Sequence, residues 1–429
     1  MTGTPPAPAR TAISGLTCPE SDAVESPRLS ESRRRDPDPN GVHLPENRSK
    51  RLLSLDVLRG LTIAFMIMVN NNGGSGSWAQ MNHAEWNGLT ATDLVFPTFL
   101  FVVGVSIVLA FQARLARGAT RGQLAWHTVI RAVVLFFFGV VVNNYPYFEI
   151  EHMRFYGVLQ RIAICYLVVG LFYLWDQRVS TKVIALVAVL VGYWVLVQWV
   201  PVPGAGMPGR DVPLLDKDQN IVAWVDRQLM PGHLYEERDT HNARDPEGLL
   251  STVPALGTAL LGLLTALWLR SERNAKTKAL GLALGAVGCL ALGYLWSIGF
   301  PLNKKMWTSS YVLAAAGWAL AIFALAYWIC ECKGWCSKGW SKWMAWPWLV
   351  FGSNAIVAYM VSELLGETQA LIQFVWRGED MTPFGYVRVN VFERISDPGW
   401  AAFGYSVFYT AVCFIPVWIL YRKKIFLKV

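Results

Sequence analysis

The residues best suited to chemistry lie in one polar stretch between two long apolar segments. It runs from Asn70 to Pro97 and reads NNNGGSGSWAQMNHAEWNGLTATDLVFP. An imidazole can take a proton from an attacking group near neutral pH, so His83 is the candidate general base. Amides and carboxylates surround it in the sequence: Asn70, Asn82, Glu85, Asn87 and Asp93.

Two neighbours of His83 can assist such a reaction. The Asn70 amide can donate a hydrogen bond to a developing oxyanion. Asp93 can fix the tautomer of His83 if the two side chains meet in the fold. The structural alternative is that His83 caps an interfacial loop and Asn70 caps a helix. Sequence chemistry leaves both interpretations open.

Composition places this stretch in a membrane protein. Of the 429 residues, 54% are hydrophobic and only 16% are charged, which is too apolar for a soluble globule of this size. We therefore predict an all-α polytopic membrane protein of about ten transmembrane helices, each able to cross roughly 30 Å of hydrocarbon. The predicted spans are 54–70, 91–112, 125–143, 157–175, 182–200, 250–269, 279–298, 309–330, 345–364 and 401–421.

Lysine and arginine are distributed unevenly among the loops. Alternate loops are rich in them, and the positive-inside rule then puts both termini in the cytoplasm and the His83 loop on the outer face. Two longer outer-face loops, 201–249 and 365–400, are long enough to form a lid, and the first carries His233, His241 and Asp245.

The chain divides into a tail and a membrane domain. Residues 1–50 are rich in Pro, Ser and Arg and lack the apolar core of a signal peptide, which predicts a disordered cytoplasmic tail. The transmembrane domain is expected over 51–429. The net charge of +8 is explained by membrane topology, so the bilayer and not a nucleic acid is the expected partner.

No metal site is expected. His233 and His241 are eight residues apart in a loop that has no cysteine and no HExxH pattern. Cys330, Cys332 and Cys336 lack a clear fourth ligand, and we expect them to be buried or free thiols rather than zinc ligands or part of a disulfide framework.

Several ionisable residues fall inside predicted spans, where a charge costs free energy unless it faces a partner or water. Asp56 and Arg59 can form an i,i+3 ion pair or bind an anion. Arg161 can pair with Asp93 or contact a ligand. Arg131 and Glu363 are candidates of the same kind.

Seven blocks of the sequence, in order, resemble a known family: RLLSLDVLRG, NHAEWNGLTATDLVFPTFLFVVG, YGVLQR, HLY followed by DPEGLL, PLNKKMWTSSYV, GSNAIVAY and YRKKIF. They are similar to the membrane catalytic region of the heparan-α-glucosaminide N-acetyltransferase family, over about residues 51–429. The eukaryotic members carry an extra luminal N-terminal domain, and we expect this chain to be a bacterial relative without it.

The resemblance implies transfer of an acetyl group from cytosolic acetyl-CoA, the co-substrate, to the amine of a glucosamine-type sugar outside the plasma (inner) membrane. It implies that His83 is catalytic with Asn70 beside it, either as a transiently acetylated nucleophile or as a general base. It is also compatible with a homodimer. The rival interpretation is a transporter or flippase of a sugar or lipid-linked solute, although no inverted repeat is evident.

Binding residues are expected on both faces. The acceptor set combines the family blocks with the outer loops: Trp86, Asn87, Arg161, His233, Asp245, Lys304, Trp307 and Asn354. Trp86 and Trp307 also fit an interfacial aromatic belt. The CoA phosphates need inner basic residues, for which we expect Arg59, Lys423 and Lys424, although positive-inside topology explains these residues equally well.

Overall fold

A computed structural model describes residues 52–74, 76–235, 240, 243–337, 339 and 341–427. The tail predicted over 1–50 lies outside these residues, as does His241. The described chain is mostly helical, with one two-stranded sheet, and it confirms the predicted fold class.

Nine helices of the described chain are long and apolar enough to cross a membrane. They are α1 Leu53–Asn70, α2 Val95–Leu115, α3 Arg121–Asn144, α4 Val158–Trp175, α5 Val179–Trp199, α7 Leu249–Leu269, α8 Ala275–Trp296, α9 Ser309–Tyr327 and α13 Pro398–Arg422. The remaining elements are α6 Ile221–Leu229, α10 Ser341–Ser353, α11 Ala355–Leu371, α12 Pro383–Val387, and the antiparallel strands β1 Phe374–Trp376 and β2 Glu379–Met381.

The span predicted over 345–364 is not one unbroken helix. Helices α10 and α11 occupy this region and meet at an angle of 76°. Asn354, at the break, leaves helical geometry with φ −135° and ψ 48°. Its side-chain amide donates to the carbonyl of Ile425 (3.1 Å) and accepts from the N–H of Leu427 (3.0 Å). At the break, Asn354 is therefore hydrogen-bonded to the segment that follows α13.

The long helices form an inner and an outer set. Most of the apolar window of α1, α2, α4, α7 and α9 is buried, whereas α3, α5, α8 and α13 bury only about a fifth of theirs. The outer set faces lipid, and because lipid is as apolar as a protein core, hydropathy alone cannot separate the two sets.

Two glycines allow α2 and α7 to pack backbone against backbone. A Cβ at Gly104 would lie 1.9 Å from the carbonyl oxygen of Ala259, and one at Gly262 would lie 2.0 Å from that of Phe101. Small residues permit this close approach in membrane helix pairs. This contact fixes the position of α2, whose first residues follow Asp93.

The expectation of unbonded thiols is wrong for two of the three clustered cysteines. Cys330 and Cys336 form a disulfide, with their Cα atoms 4.8 Å apart, whereas Cys332 is free. A π-helical turn over Trp328–Cys332 and a reversal at Gly334, which has φ +69°, bring the two together. Sequence spacing alone does not show this reversal.

The connections after α1, α3, α5 and α8 gather at one end of the bundle, which we call the His83 end. Since these connections carry most of the polar side chains around one polar cavity, the bundle serves to hold separate loops around one space.

Candidate active site

His83 and Asp93 form a hydrogen-bonded pair in the loop between α1 and α2. The Nδ1 of His83 is 2.7 Å from Oδ1 of Asp93, whose side chain is 1% exposed while that of His83 is 47% exposed. The other Asp93 oxygen accepts from the backbone N–H groups of Ala84 and Thr90, both at 3.1 Å. The carboxylate is thus fixed by the loop that carries His83. It favours a proton on Nδ1, which leaves the Nε2 lone pair free to act as a base.

Lys304, from the loop after α8, completes this group. Its Nζ lies 3.1 Å from Nδ1 and 3.4 Å from Nε2 of His83, and 3.8 Å from Oδ1 of Asp93. Burial lowers the pKa of Lys304, although Asp93 and Glu247 oppose that shift. The sequence placed Lys304 in acceptor binding; the structure puts it against the catalytic candidate.

The loop after α8 is attached to the His83 loop along its length. The N–H of Gly88 donates to the carbonyl of Leu302 (2.8 Å), and the Asn303 amide donates to Oδ1 of Asn87 (3.0 Å). Asn87, expected to bind acceptor, therefore has its carbonyl engaged in joining two loops. This attachment keeps Lys304 beside His83.

The His83 group opens into a cavity of about 560 Å³, which we call the chamber. Its wall includes the ends of α1 and α4, the middle of α11, and part of the lid segment 200–248, which contains α6. The charged and polar side chains of this wall include Asn70, His83, Trp86, Asp93, Arg154, Asp226, Arg244, Asp245, Glu247, Lys304 and Glu363.

Arg154 links the loop after α3 to the lid. It donates to both oxygens of Asp245, at 2.8 and 2.7 Å, and to Oε2 of Glu247 at 2.7 Å, and it stacks on Tyr235. Burial alone would lower the pKa of Arg154, but the two carboxylates outweigh burial and raise it. Burial likewise disfavours charge on Glu247, yet its cationic neighbours, Arg154 first, hold its pKa below the usual range. Asp245, an expected acceptor ligand, lies in the wall as half of this bridge.

Trp86 holds the lid from the opposite side. Its indole N–H donates to the carbonyl of Leu215 (2.7 Å), and the guanidinium of Arg244 lies 5.5 Å from its ring centre. Arg244 also pairs with Asp218 at 2.5 Å. The lid is therefore attached directly to the loop that carries His83.

Two further acids lie in the chamber wall. Oε1 of Glu363, on α11, accepts from the Asn70 amide at 3.2 Å. Asp226, on α6, is fully buried, and its Oδ1 accepts from the N–H of Leu249 at the start of α7 (2.9 Å). Burial, reinforced by Asp245, raises the pKa of Asp226 to about 7. Glu363 thus contacts a predicted catalytic residue, and Asp226 caps a helix.

Arg161 and Trp307 are buried in the bundle. Arg161 is 1% exposed, donates to the Gly248 carbonyl (3.1 Å) and to the Ser251 hydroxyl, and lies 4.9 Å from the Trp307 ring centre. The partner proposed from the sequence, Asp93, is not the one it bonds. Trp307 is also 1% exposed, so an interfacial belt position for it is wrong.

Comparison with known proteins shows which family has this arrangement. A family model described as heparan-alpha-glucosaminide N-acetyltransferase, catalytic, matches residues 51–293, more than half of the chain. The chain belongs to this family. The match contains His83, Asn70 and Asp93 as well as the whole lid segment. It also confirms the resemblance on which the sequence analysis relied.

Two relatives carry the family name. Heparan-alpha-glucosaminide N-acetyltransferase of Mus musculus is 28% identical over 461 residues, covering 96% of this chain and 66% of the relative. The Homo sapiens protein of that name is 29% identical over 430 residues, covering 88% and 60% respectively. The chain thus spans somewhat less than two thirds of the length of these relatives.

Some residues expected at the acceptor site of this family member lie elsewhere. Nδ1 of His233 is 2.9 Å from the Met153 carbonyl, and its ring packs against Phe155 at 5.1 Å. Asn354 bonds the C-terminal segment. In the part of the chain that the structure describes, neither of these residues, nor Asn87 or Trp307, lines the chamber.

At the opposite end of the bundle, Arg59 is held in place by three groups. It pairs with Asp56 at 3.5 Å, as the i,i+3 spacing predicted, and donates to the Ser106 hydroxyl (2.8 Å) and the Gly352 carbonyl (3.5 Å). Lys423 and Lys424 are exposed immediately after α13.

A narrow apolar void continues the chamber toward that end. It measures about 10 Å³ and shares Met66, Phe96, Val158 and Tyr359 with the chamber wall. Ile63, one turn from Arg59 on the same face of α1, also lines it.

The roles of Arg154 and Glu247 were not predicted from the sequence. Their signal was the isolation of Arg154 as the single Lys or Arg between α3 and α4, together with the acidic DPEG sequence of the lid. A buried arginine requires carboxylate partners, so that pairing could have been sought.

Proposed function

We propose that this chain transfers an acetyl group from acetyl-CoA to the amine of a glucosamine-type sugar across a membrane. The observation that carries the proposal is the His83–Asp93 pair, with Lys304 beside it, opening into a charged chamber in a member of an N-acetyltransferase family. The relatives' names refer to heparan-alpha-glucosaminide; for this chain we propose the wider class of amino sugars.

The side chains divide the chemistry as follows. Nε2 of His83 removes a proton from the acceptor's ammonium, and the freed amine attacks the carbonyl carbon of the acetyl thioester. The ammonium of Lys304 stabilises the oxyanion that forms. As the C–S bond breaks, the newly bonded nitrogen loses its second proton, which passes to the departing thiolate of CoA, so the products are the amide and the CoA thiol. The imidazolium of His83 then returns its proton to water. In the alternative, Nε2 attacks the thioester first and the amine then takes the acetyl group from the ring.

The donor is proposed to enter from the end that carries Arg59. The void lined by Ile63, Met66 and Tyr359 is an apolar route between α1, α2, α4 and α11, and a side-chain rearrangement would have to widen it for a pantetheine arm. Lys423 and Lys424 are available for phosphates, with Arg59 nearer the bundle. This end is proposed to be cytoplasmic, in a plasma (inner) membrane.

The acceptor is proposed to bind in the chamber from the opposite face. Hydroxyl groups of a sugar need donors and acceptors of both kinds, and the wall supplies cations and carboxylates already held in fixed positions by one another. The lid segment 200–248 is the element that would exclude water during transfer.

A reconstituted assay tests the proposal. Vesicles with the purified protein receive labelled acetyl-CoA on one side and a panel of amino sugars on the other. We expect acetylated sugar from wild type, none from His83→Ala, and normal yield from His233→Ala, a control histidine that lies outside the chamber. Solute flux without acetylation would support a transporter instead, and product from His83→Ala at neutral pH would remove His83 from the mechanism.

The same vesicles separate the two mechanisms. With labelled acetyl-CoA and no acceptor, a nucleophilic His83 retains label on the wild-type protein but not on the alanine variant. A general base leaves both proteins unlabelled.

A further inference from the structure

The middle of α11 contacts the end of α1 through two adjacent pairs of side chains. The Asn70 amide donates to Oε1 of Glu363 at 3.2 Å, and the Asn71 amide donates to the Ser362 hydroxyl at 3.4 Å. Glu363 and Asn70 both line the chamber. The acid therefore contacts the side of Asn70 that borders the reaction space.

We propose that Glu363 is a positioning residue that sets the orientation of the Asn70 amide for the acceptor. This inference rests on the proposed acetyl transfer. A carboxylate oxygen only accepts hydrogen bonds, so it selects the NH₂ end of the amide. The carbonyl oxygen of Asn70 and its second N–H are then left to the chamber, where the carbonyl can accept from the N–H of the incoming amine.

This assignment changes what Asn70 presents to the substrate. A freely rotating amide offers its donor and its acceptor end equally, and in the sequence analysis Asn70 is an oxyanion donor. Because one N–H of the Asn70 amide is bonded to Glu363, the Asn70 carbonyl is the end of the amide that remains available to the substrate. Asn70 would then align the nucleophile, whereas Lys304 stabilises the oxyanion.

Anchoring of α11 does not require this carboxylate. Ser362 already bonds Asn71, and the Tyr409 hydroxyl of α13 donates to the backbone carbonyl of Ser362 at 2.8 Å. The bond from Asn70 to Glu363 is therefore not needed to hold the helix, and a role in the chamber accounts for it better.

Four substitutions test the inference in the reconstituted assay. Glu363→Ala should lower kcat roughly 10- to 100-fold with donor KM unchanged, because a misaligned amine attacks less often. Glu363→Gln should retain most activity, since its amide oxygen accepts the same bond. Glu363→Asp keeps the charge but is one methylene too short, so it should resemble alanine. Ser362→Ala, the neighbouring contact, should resemble wild type.

The Asn70→Ala background shows whether Glu363 acts through Asn70. There the Glu363 substitutions should cause no further loss, because nothing remains to be oriented. Full additivity would overturn the inference, as would Glu363→Asp being more active than Glu363→Gln, which would make the charge itself the binding element. If alanine does not fold, the Asp and Gln variants still decide. A wild-type protein that acetylates nothing would refute the proposed function instead.

Discussion

Lys304 and His83 contact each other although they are 221 residues apart in the chain, with Nζ 3.1 Å from Nδ1 and 3.4 Å from Nε2. Asp93 lies 2.7 Å from Nδ1 and favours a proton there, so Nε2 is the nitrogen that can act as a base. The ammonium of Lys304 lies beside this nitrogen and is in reach of charge that develops next to it.

Replacing Lys304 by Met should therefore lower the rate. We expect kcat to fall roughly 10²- to 10³-fold through loss of the oxyanion donor. Lys305→Met is the matched control, with the same loss of charge one residue later. Equal effects of the two substitutions would show that Lys304 acts only through its contribution to the overall electrostatic potential of the site.

The Arg154 bridge predicts a stability defect. Arg154→Met leaves Asp245 and Glu247 as buried carboxylates without their cation, a change that typically costs about 3–5 kcal/mol. The melting temperature in detergent should fall clearly, and the acceptor KM should rise as the lid loosens. Arg210→Met removes an exposed arginine of the same lid, 3.7 Å from Asp211, and should leave the melting temperature unchanged. A stable Arg154→Met protein would show that the lid is held by other contacts.

Whether a feature could be predicted from the sequence depends on how far apart in the chain the interacting residues are. The membrane spans could be predicted because each one is defined locally by about twenty apolar residues. The break at Asn354 was not, because the sequence stays apolar through 345–364 while the bonds to Ile425 and Leu427 come from 71 and 73 residues away. A hydropathy pattern contains no information about such a partner.

The site shows the same division. His83 and Asp93 are ten residues apart in one loop, and the sequence correctly identified them as a pair to test. Arg154 and Asp245 are 91 residues apart, and only the packing of α3, α4 and α7 brings them together. The family blocks pointed to Lys304 without giving its neighbour. Residue types at short spacing were thus informative, and contacts between distant loops were not.

Orientation can be tested independently of activity. In a background where Cys289 and Cys332 are replaced by Ala, a cysteine at Ser77 should react with an impermeant thiol reagent added outside cells, and one at Thr120 should not. The reason is the excess of Lys and Arg in the loops on the Thr120 side. Labelling of Thr120→Cys alone would reverse the topology and with it the direction of transfer.

The last prediction concerns Asp226, whose folded-state pKa, about 7, lies well above the ordinary aspartate value. Between those two values the folded state binds more protons than the unfolded state, so stability falls as pH rises through that interval. The melting temperature of wild type should accordingly decrease from about pH 4 to about pH 7. Asp226→Asn keeps an oxygen that can accept from the Leu249 N–H, but it carries no charge, so its melting temperature should change less over the same interval. Identical pH profiles for the two proteins would mean that Asp226 is ionised in the fold without penalty, and that the cap on α7 carries a full negative charge.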